Sequence, residues 1–323
     1  MENHEYQFTV CVKCMTYNQA SFIEDALNGF TMQKTGFPFV CVVVDDASTD
    51  GEPEVIGRYL STHFDLEDDT VTRNEETDDY VLTYARHKTN WNCFFVVLLL
   101  KYNHYGKKSK DPYFNEWTKN VAYVALCEGD DYWIDQYKLS RQVALLEEHP
   151  EYSVCTENGY WLDIRTKETS PFSSNPEKDI SIDEILIRRQ FPTASVLYRN
   201  EFSSDFAKLH KPVLDTSVWA CLAKKGVIHY LPIISSVYRR GCGITEIDRI
   251  RWAYTVWSFN KSLYKDFFVP DYIKDIRDQD VVQNLKKGMK DAKKRRRYYD
   301  LFRLSIYYIT TKAEIQIRNF SVF

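Results

Sequence analysis

Short apolar runs alternate with amphipathic stretches through the first half of the chain. The runs at residues 8–14 and 39–44 have the continuity of buried strands, and residues 53–63 have the spacing of a helix. Residues 92–100 are a further strand or buried-helix candidate, whereas the acidic and polar residues 64–79 predict a surface loop. This alternation predicts an α/β fold with a mainly parallel, doubly wound sheet and helices on both faces.

The apolar run at residues 121–127 predicts a buried strand and is followed at once by an acidic loop. Glu128, Asp130 and Asp131 stand where that strand ends, and ligands of open α/β sheets bind at the carboxyl ends of strands. Neighbouring carboxylates repel each other. A divalent cation such as Mg²⁺ or Mn²⁺ removes that repulsion and can hold a phosphate-bearing substrate. We therefore predict a cation and nucleotide site here, the alternative being a solvated turn.

Polar residues also follow the second predicted strand. The residues after Asp45 have the composition of a tight turn. Ser48, Thr49 and Asp50 are good helix N-caps, and we expect them to begin the next helix. Asp45 and Asp46 then remain free for a ligand, because a carboxylate held there can accept an N–H of a nucleotide base.

A third polar turn, Thr16-Tyr17-Asn18, follows the first predicted strand. In a doubly wound sheet this turn lies beside the one at Asp45 and Asp46. A tyrosine there can stack on a base, and a threonine can form a hydrogen bond with it. The two turns together predict a nucleotide pocket next to the cation site.

These motifs, in this order, resemble those of the family 2 glycosyltransferases of GT-A fold. The resemblance spans roughly residues 8–245 and is carried by Thr16-Tyr17-Asn18-Gln19, Asp45-Asp46-Ala47-Ser48-Thr49-Asp50-Gly51 and Ala125-Leu126-Cys127-Glu128-Gly129-Asp130-Asp131-Tyr132-Trp133. It implies a Rossmann-like GT-A domain over residues 1–245, with a nucleotide-sugar half at about 1–135 and an acceptor half at about 136–245. Residues 246–323 are then expected to form a helical, basic C-terminal extension.

The resemblance implies roles for the residues of the first two turns. Thr16, Tyr17 and Asp46 match the nucleotide-base pocket of the family. Asn18 and Asp45 lie beside them in sequence and are counted with the donor-binding residues.

The resemblance also implies a cation site and a catalytic base. Glu128-Gly129-Asp130 takes the place of the family's D-x-D motif. Glu128, Asp130 and Asp131 are therefore expected to bind the Mn²⁺ or Mg²⁺ that bridges the donor diphosphate, and Asp130 is also counted with the donor-binding residues. Asp215, which precedes a predicted helix at residues 217–225, best matches the family's catalytic base.

The chain departs from the family pattern in two places. Glu128 replaces the first aspartate of the D-x-D motif, and a glutamate can still ligate a cation. Relatives often carry a histidine in a glycine-rich loop, where this chain has Arg240-Gly241-Cys242-Gly243. Arg239 or Arg240 is expected to take over the phosphate contact.

The implied function is an inverting transfer of a sugar from a nucleotide sugar, with UDP as the expected nucleotide. The acceptor would be a glycan or a lipid-linked molecule in cell-surface polysaccharide synthesis. One alternative is a nucleotidyltransferase, which usually needs a glycine-rich phosphate loop that residues 16–20 lack. Another is a nucleotide-sugar-binding regulator without turnover, against which the intact Asp130, Asp131 and Asp215 argue.

Basic and then aromatic residues crowd the C-terminal extension. Lysines and arginines fall between Lys286 and Arg297, and tyrosine, phenylalanine and aliphatic residues follow up to Ile309. This order is typical of segments that bind an anionic membrane surface peripherally. The alternative is a solvated charged helix followed by a helix that docks on the protein.

Composition sets the remaining limits. The chain has 323 residues, of which 44% are hydrophobic and 27% charged, as in globular proteins with a sizeable core. A net charge of −4 gives no signature of nucleic-acid binding. The eight cysteines are scattered, several within apolar runs, which favours a reduced, cytoplasmic protein. With no apolar leader or bilayer-spanning run, the expected location is the cytoplasm or, peripherally, the inner face of the plasma membrane.

Overall fold

The structure is a computed structural model that describes residues 7–241 and 248–320. Cys242 and Gly243, in the loop where relatives often carry a histidine, lie outside the described residues. The described chain forms two compact units. The first comprises the described residues up to Asp179, Phe191–Ser203 and Gly226–Arg239. The second comprises Ile180–Gln190, Ser204–Lys225 and the described residues from Arg240 onward, so it includes two segments that precede the predicted boundary at residue 245.

Strands and helices alternate in the first part of the chain, and helices dominate its end. The described strands are β1 Val10–Thr16, β2 Phe39–Asp45, β3 Phe64–Asp65, β4 Thr72–Glu76, β5 Tyr80–His87, β6 Cys93–Leu100, β7 Tyr123–Leu126, β8 Tyr132–Trp133, β9 Tyr152–Asp163, β10 Thr169–Pro171, β11 Lys178–Ile180, β12 Leu197–Arg199 and β13 Val227–Arg240. The described α-helices are α1 Ile23–Thr31, α2 Glu52–His63, α3 Asp111–Thr118, α4 Lys138–Glu148, α5 Ile182–Ile187, α6 Asp215–Ala223, α7 Arg249–Asp266, α8 Asp271–Lys294 and α9 Tyr298–Phe320. Short 3₁₀ helices lie at Thr193–Ser195 and Asn200–Lys208.

The first unit is built on a mixed sheet in the order β11-β13-β9-β12-β7-β1-β2-β6-β5-β3. Strands β7, β1, β2 and β6 pair in parallel at its centre, and β12 and β5 flank them in antiparallel orientation. The short strands β4, β8 and β10 pair with β5, β13 and β9. Every residue of β2 is buried, as expected of a parallel strand covered on both faces by helices.

The surface loop predicted at residues 64–79 is wrong in part, because the segment contains two strands. β3 and β4 both pair antiparallel with β5, and the β4 register runs from Thr72 opposite Ala85 to Glu76 opposite Val81. The residues of β4 are exposed or half-buried and mostly polar. Charged side chains on an outer strand protect it against pairing with other chains, and they also conceal it from a search for apolar runs.

Trp133 anchors the end of the acidic loop in the core of the first unit. Its ring packs edge-to-face on Phe30, with centroids 5.0 Å apart, and its indole N–H donates to the Ala194 carbonyl at 2.7 Å. Helix α1 approaches this strand closely, since a Cβ added at Gly29 would lie 2.8 Å from the Trp133 backbone nitrogen. The loop that precedes Trp133 is therefore fixed at its far end.

The cysteines of the described residues are free and buried. Burial raises the pKa of the Cys11 thiol to about 12 and places those of Cys14, Cys41 and Cys127 well above the ordinary thiol value. These side chains pack as small hydrophobes, as their positions in apolar runs predicted.

Helices α7, α8 and α9 form the core of the second unit, so the predicted helical character of the C-terminal part is confirmed. Ile250, Val281, Leu285 and Leu304 are large members of this core, each at most 1% exposed. The helices approach closely at Gly288, where an added Cβ would lie 2.8 Å from the Ala253 Cβ. None of the helices in the described part of the chain is long and apolar enough to cross a bilayer.

Two nearby residues of α9 allow the buried face of this helix to be compared with its exposed face. Leu304 is fully buried, whereas Phe302 is 65% exposed. We expect L304A to lower the free energy of unfolding by about 2–5 kcal/mol, because it leaves a cavity. The matched control F302A should stay within about 0.5 kcal/mol of the wild type. Urea denaturation followed by circular dichroism measures both, and equal losses would contradict this assignment of the two faces.

Candidate functional site

Three polar loops meet at the carboxyl ends of the central parallel strands. The register places Thr16 opposite Asp45 and Lys13 opposite Leu126. Beyond the strands, the Asp46 N–H donates to the Thr16 carbonyl at 3.0 Å, and the Gly129 N–H donates to the Met15 carbonyl at 3.0 Å. β2 and β6 lie on one side of β1 and β7 lies on the other. This edge is therefore a topological switch point, where open α/β sheets bind ligands.

Glu52 ties the loop after β1 to the loop after β2. Its buried carboxylate accepts the Gln19 N–H at 2.8 Å and the Ser48 hydroxyl at 2.9 Å, and it also pairs with the Thr16 hydroxyl. Burial raises the pKa of Glu52, the three hydrogen bonds oppose that rise, and the nearby charge of Asp45 adds to it. The two turns are thus held together by one shared carboxylate.

Backbone N–H groups add further bonds between the same two loops. The Asn18 N–H donates to Ser48 Oγ, and the Thr49 N–H donates to Asn18 Oδ1, both at 2.8 Å. The Ala20 N–H donates to the Asp50 carboxylate at 2.9 Å. The predicted neighbourhood of these turns is therefore observed as a direct network.

Two residues of these turns have a left-handed backbone. Asn18 and Ala47 have φ values of 53° and 61°. Asparagine adopts this conformation more readily than most residues, but an alanine there is strained, and such strain concentrates at functional sites. Tyr17, next to Asn18, is 46% exposed, so its ring is accessible for stacking on a ligand.

The expectation that Ser48, Thr49 and Asp50 cap the second helix is wrong in part. The N-cap residue of α2 is Gly51, which has a φ of 90° and no side chain. Of the three predicted residues, Asp50 contacts the helix start, where its carboxylate accepts the Glu52 N–H at 3.2 Å. Ser48 instead donates to the buried carboxylates of the site, which need hydrogen-bond partners more than a solvated helix end does.

Asp45 and Asp46 are buried and already hydrogen-bonded, contrary to the expectation that they are free. Asp45 accepts the N–H and hydroxyl of Ser48; burial raises its pKa and these bonds oppose the rise. Asp46 accepts the His104 N–H at 2.7 Å and the Lys110 ammonium at 2.8 Å. A buried carboxylate without such partners would be strongly destabilising. Their assignment to a nucleotide pocket stays a prediction.

Gly129 joins the acidic loop to the first turn by direct contact. A Cβ added at this position would lie 2.4 Å from Thr16 Oγ1 and 2.6 Å from Gln19 Oε1. Side chains do not tolerate such distances, so the contact requires glycine between the two acids of the motif.

The acids of the third loop differ in exposure. Glu128 is exposed, Asp130 is half-buried and Asp131 is only 2% exposed. Burial raises the pKa of Asp131 well above its ordinary value, and the charges of Asp130 and Glu128 raise it further. The Arg239 backbone N–H and guanidinium act in the opposite direction. The three carboxylates therefore lie close enough to repel each other.

Arg239, near the end of β13, holds the acidic loop in place. Its backbone N–H donates to Asp131 Oδ1 at 2.9 Å, and its guanidinium donates to the Asp130 carbonyl at 2.7 Å. The same guanidinium pairs with Asp25 on α1 and lies 4.4 Å from the centre of the Tyr132 ring. Arg239 is 7% exposed, and its guanidinium is engaged in these internal contacts. The expected phosphate contact by Arg239 or Arg240 stays a prediction.

The oxygen donors of the acidic loop fit a divalent cation only when a substrate completes its shell. In residues 7–241 and 248–320, no group of three or more His, Cys, Asp or Glu side chains is arranged to hold a metal ion. Mg²⁺ typically takes one or two protein carboxylates and completes its shell with substrate phosphates and water. Glu128 and Asp130 are two oxygen donors on one loop. Asp131 accepts the Arg239 N–H through one of its two oxygens, and its predicted role as a third ligand stays a prediction.

Asp215 lies in the second unit, whereas the other predicted site residues lie in the first. It is the first residue of α6, its side chain is 48% exposed, and the Arg189 guanidinium lies 4.0 Å from Oδ2. The N-terminus of a helix favours a negatively charged side chain. Its role as a catalytic base stays a prediction.

Glu52, His104 and Lys110 belong to the network, and the sequence motifs did not identify them. His104 and Lys110 lie in the basic loop after β6, the next parallel strand beside β2. Their position after a parallel strand could have identified them from the sequence, because the loops at the carboxyl ends of parallel strands meet at one edge of the sheet. Glu52 gave no comparable signal, because an acid in the first turn of a helix is common.

The comparisons with known proteins support the fold. No family model matches the chain. It is 32% identical over 229 residues to uncharacterised proteins of Mycobacterium bovis and of two strains of Mycobacterium tuberculosis. The alignment covers 70% of this chain and 57% of the relatives, so the chain spans little more than half of their length.

Solved structures give likenesses that cover most of the chain. Staphylococcus aureus TarS 1–349 in complex with UDP superposes with a TM-score of 0.54 at 15% identity, covering 88% of this chain and 74% of that one. The mannosyltransferase PcManGT of Pyrobaculum calidifontis, in complex with GDP-Man and Mn²⁺, gives a TM-score of 0.54 at 14% identity, covering 97% and 88%.

The chain has the GT-A fold. The predicted fold class is therefore confirmed. Identities this low show the fold alone, so the assignment to family 2 stays a prediction.

The raised pKa of Asp131 leads to a prediction on pH dependence. Because the folded protein binds this proton more tightly than the unfolded chain, stability falls as the pH rises above the ordinary carboxyl value. D131N keeps an oxygen for the Arg239 N–H and removes the charge. We expect it to melt at a higher temperature than the wild type at neutral pH, with a gain that shrinks towards about pH 4.

A matched variant separates charge from hydrogen bonding at the same position. D131A also removes the charge but leaves the buried Arg239 N–H without its acceptor. It should be about 1–3 kcal/mol less stable than D131N. Thermal melts across the pH range measure both, and a D131N protein less stable than the wild type at every pH would contradict the electrostatic argument.

Proposed function

We propose that the protein is a metal-dependent, inverting glycosyltransferase that takes a UDP-linked sugar as donor. The observation that carries the proposal is the meeting of three polar loops, with their acids, at the switch point of a GT-A fold. Thr16 begins the first of these loops, Asp46 lies in the second, and Glu128 and Asp130 lie in the third. We further propose a glycan or lipid-linked acceptor in cell-surface polysaccharide synthesis.

The first two loops provide the donor pocket in this proposal. The exposed ring of Tyr17 can stack on the base, while Thr16 and Asp46 line the pocket. Lys110 holds Asp46 at 2.8 Å and leaves part of its own side chain exposed. The Glu52 network keeps both loops in position before the donor arrives, which reduces the free energy needed to order them on binding.

The third loop holds the donor diphosphate. Glu128 and Asp130 would ligate the divalent cation, which neutralises negative charge on the departing nucleoside diphosphate when it is bound. Arg239 keeps this loop in position through the Asp130 carbonyl and the Asp131 carboxylate. The chain thus supplies the oxygen donors and fixes the backbone that carries them.

Asp215 is the proposed base of a single displacement. It accepts the proton of the acceptor hydroxyl as that oxygen attacks the anomeric carbon, and the nucleoside diphosphate leaves from the opposite face. A single displacement inverts the configuration at that carbon. The exposure of Asp215 and its place at a helix N-terminus are compatible with this role.

Donor binding tests the proposal directly. We expect a UDP-sugar to raise the melting temperature in the presence of Mn²⁺, since a ligand at 100 times its Kd stabilises by about 2.7 kcal/mol. G129A should lower the free energy of unfolding by roughly 1–3 kcal/mol, because the added methyl collides with Thr16. The same collision displaces the acidic loop from the first turn, so donor binding should also weaken. G57A is the matched control, as no atom lies within 4 Å of an added Cβ there.

The outcomes separate the alternatives. Transfer or slow hydrolysis of the bound nucleotide sugar supports a transferase. Release of pyrophosphate from a nucleoside triphosphate would indicate a nucleotidyltransferase, and binding without turnover would indicate a regulator. A screen of UDP- and GDP-sugars with no shift in the presence of Mn²⁺ would contradict the proposed donor class.

The role of Asp215 has its own test. D215N should lower the turnover number by about 100- to 10,000-fold while donor binding stays unchanged, because general-base catalysis contributes this much. D271N is the matched control, since Asp271 also begins a helix of the second unit and its side chain is 65% exposed. Full activity of a folded D215N protein would exclude Asp215 as the base.

A further inference from the structure

Helix α9 has apolar residues on two faces. Its inner face contributes Leu304, Thr311 and Ile315 to the core of the second unit, each at most 9% exposed. Its outer face remains exposed. The large apolar side chains there are Tyr298, Tyr299, Phe302, Ile306, Ile309 and Ile317, of which Phe302, Ile309 and Ile317 are 65%, 64% and 68% exposed.

The spacing of the outer residues makes a continuous stripe. Phe302, Ile306 and Ile309 follow the i, i+4, i+7 spacing of one helix face. A stripe of this kind in water is unfavourable by roughly 25 cal/mol for each Å² of apolar surface. Contiguous exposed apolar surface of this type usually marks an interaction site.

Basic residues lie at the N-terminal end of this stripe. Lys293, Lys294, Arg295, Arg296 and Arg297 are all exposed around the turn between α8 and α9. Arg295 pairs with Asp291 at 3.0 Å and Arg297 with Asp300 at 2.6 Å, so two of the charges are partly balanced. The positive charge of the turn therefore lies next to the aromatic end of the stripe, at Tyr298 and Tyr299.

Arg296 has an unusual backbone for a basic residue. Its φ is 56°, and the Arg296 and Arg297 N–H groups donate to the carbonyls of Lys293 and Ala292 at 3.2 and 2.9 Å. These two bonds form the helix-ending motif in which the left-handed position is usually glycine. A side chain there is strained, yet this chain presents a cation at that position. Strain of this type is concentrated at functional positions.

We propose that the outer face of α9 and the basic turn before it bind an anionic phospholipid surface. The tail surface, defined as Lys293, Lys294, Arg296, Phe302, Ile306 and Ile309, combines the two required attractions. Its cations attract anionic headgroups, and its apolar side chains enter the boundary between headgroups and acyl chains. The exposed tyrosines at the junction suit a membrane interface, where aromatic residues with a polar group concentrate.

The tail surface lies within residues 286–309, the segment for which the sequence predicts peripheral membrane contact. Lys286 is exposed on α8, and its ammonium lies 5.9 Å from the Tyr308 ring centre. The docking helix of the alternative prediction is also present, because the inner face of α9 is buried. One helix therefore holds the second unit together and presents a lipid-binding face, and neither property depends on the proposed transfer reaction.

Vesicle binding by the full chain tests the proposal. We expect cosedimentation with vesicles of phosphatidylcholine and phosphatidylglycerol, little binding to phosphatidylcholine alone, and weaker binding as salt rises. The variant K293Q/K294Q/R296Q should bind on the order of 100-fold more weakly, at about fivefold for each cation near the surface. The control K119Q/K167Q/K265Q removes the same charge at exposed positions elsewhere and should bind as the wild type does.

Apolar variants test the second attraction. F302S/I309S should reduce binding to the anionic vesicles while the melting temperature is retained, because both residues are exposed. Equal binding by these variants and the wild type would overturn the proposal. A second outcome would also overturn it: the wild-type protein does not bind the vesicles but forms a dimer, and F302S/I309S dissociates that dimer.

Arg296 allows a test in which stability and binding move in opposite directions. R296G relieves the left-handed backbone, so its melting temperature should equal or exceed that of the wild type. It also removes one cation, so vesicle binding should fall about fivefold. A purely structural role for Arg296 predicts unchanged vesicle binding and would remove this residue from the tail surface.

Discussion

The parallel pairing of β1 with β2 on one side and β7 on the other is the constraint on which the site depends. Because the three strands run in the same direction and in register, their carboxyl ends stop at one level of the sheet. The loops that follow these strands therefore lie next to each other. Glycine at 129 then lets the acidic loop rest on Thr16, and the Glu52 carboxylate joins the other two loops. The chemistry of the crevice follows from this arrangement of strands.

Arg239 shows how distant parts of the first unit fix one loop. A single side chain contacts the acidic loop, α1 and an aromatic ring, and its backbone N–H reaches Asp131. The residue comes more than one hundred positions after the loop that it holds, as the separation of 108 between Arg239 and Asp131 shows. Burial of several carboxylates at one edge is unfavourable unless hydrogen bonds and cations compensate. The contacts of Arg239, Lys110 and Ser48 provide that compensation within the protein.

Much of the fold could be predicted from the sequence, because continuous apolar runs such as 39–44 are long enough to identify parallel strands. The polar strand β4 could not, since its side chains resemble those of a loop and its partner β5 alone makes it a strand. The motif residues Thr16, Asp46 and Glu128 could be placed at one edge by position alone. Their hydrogen-bond partners could not, because His104 and Lys110 reach Asp46 across some sixty residues, with separations of 58 and 64.

The buried thiols in and beside the described central strands have a consequence for the reactivity of these side chains. A thiol acts as a nucleophile or a metal ligand only after it loses its proton. Burial raises the pKa values of Cys11, Cys14, Cys41 and Cys127, so these groups remain protonated and closed to reagents at neutral pH. They neither exchange disulfides nor undergo ready oxidation. These four buried thiols therefore serve as packing groups of the strands, with no part in thiolate chemistry at neutral pH.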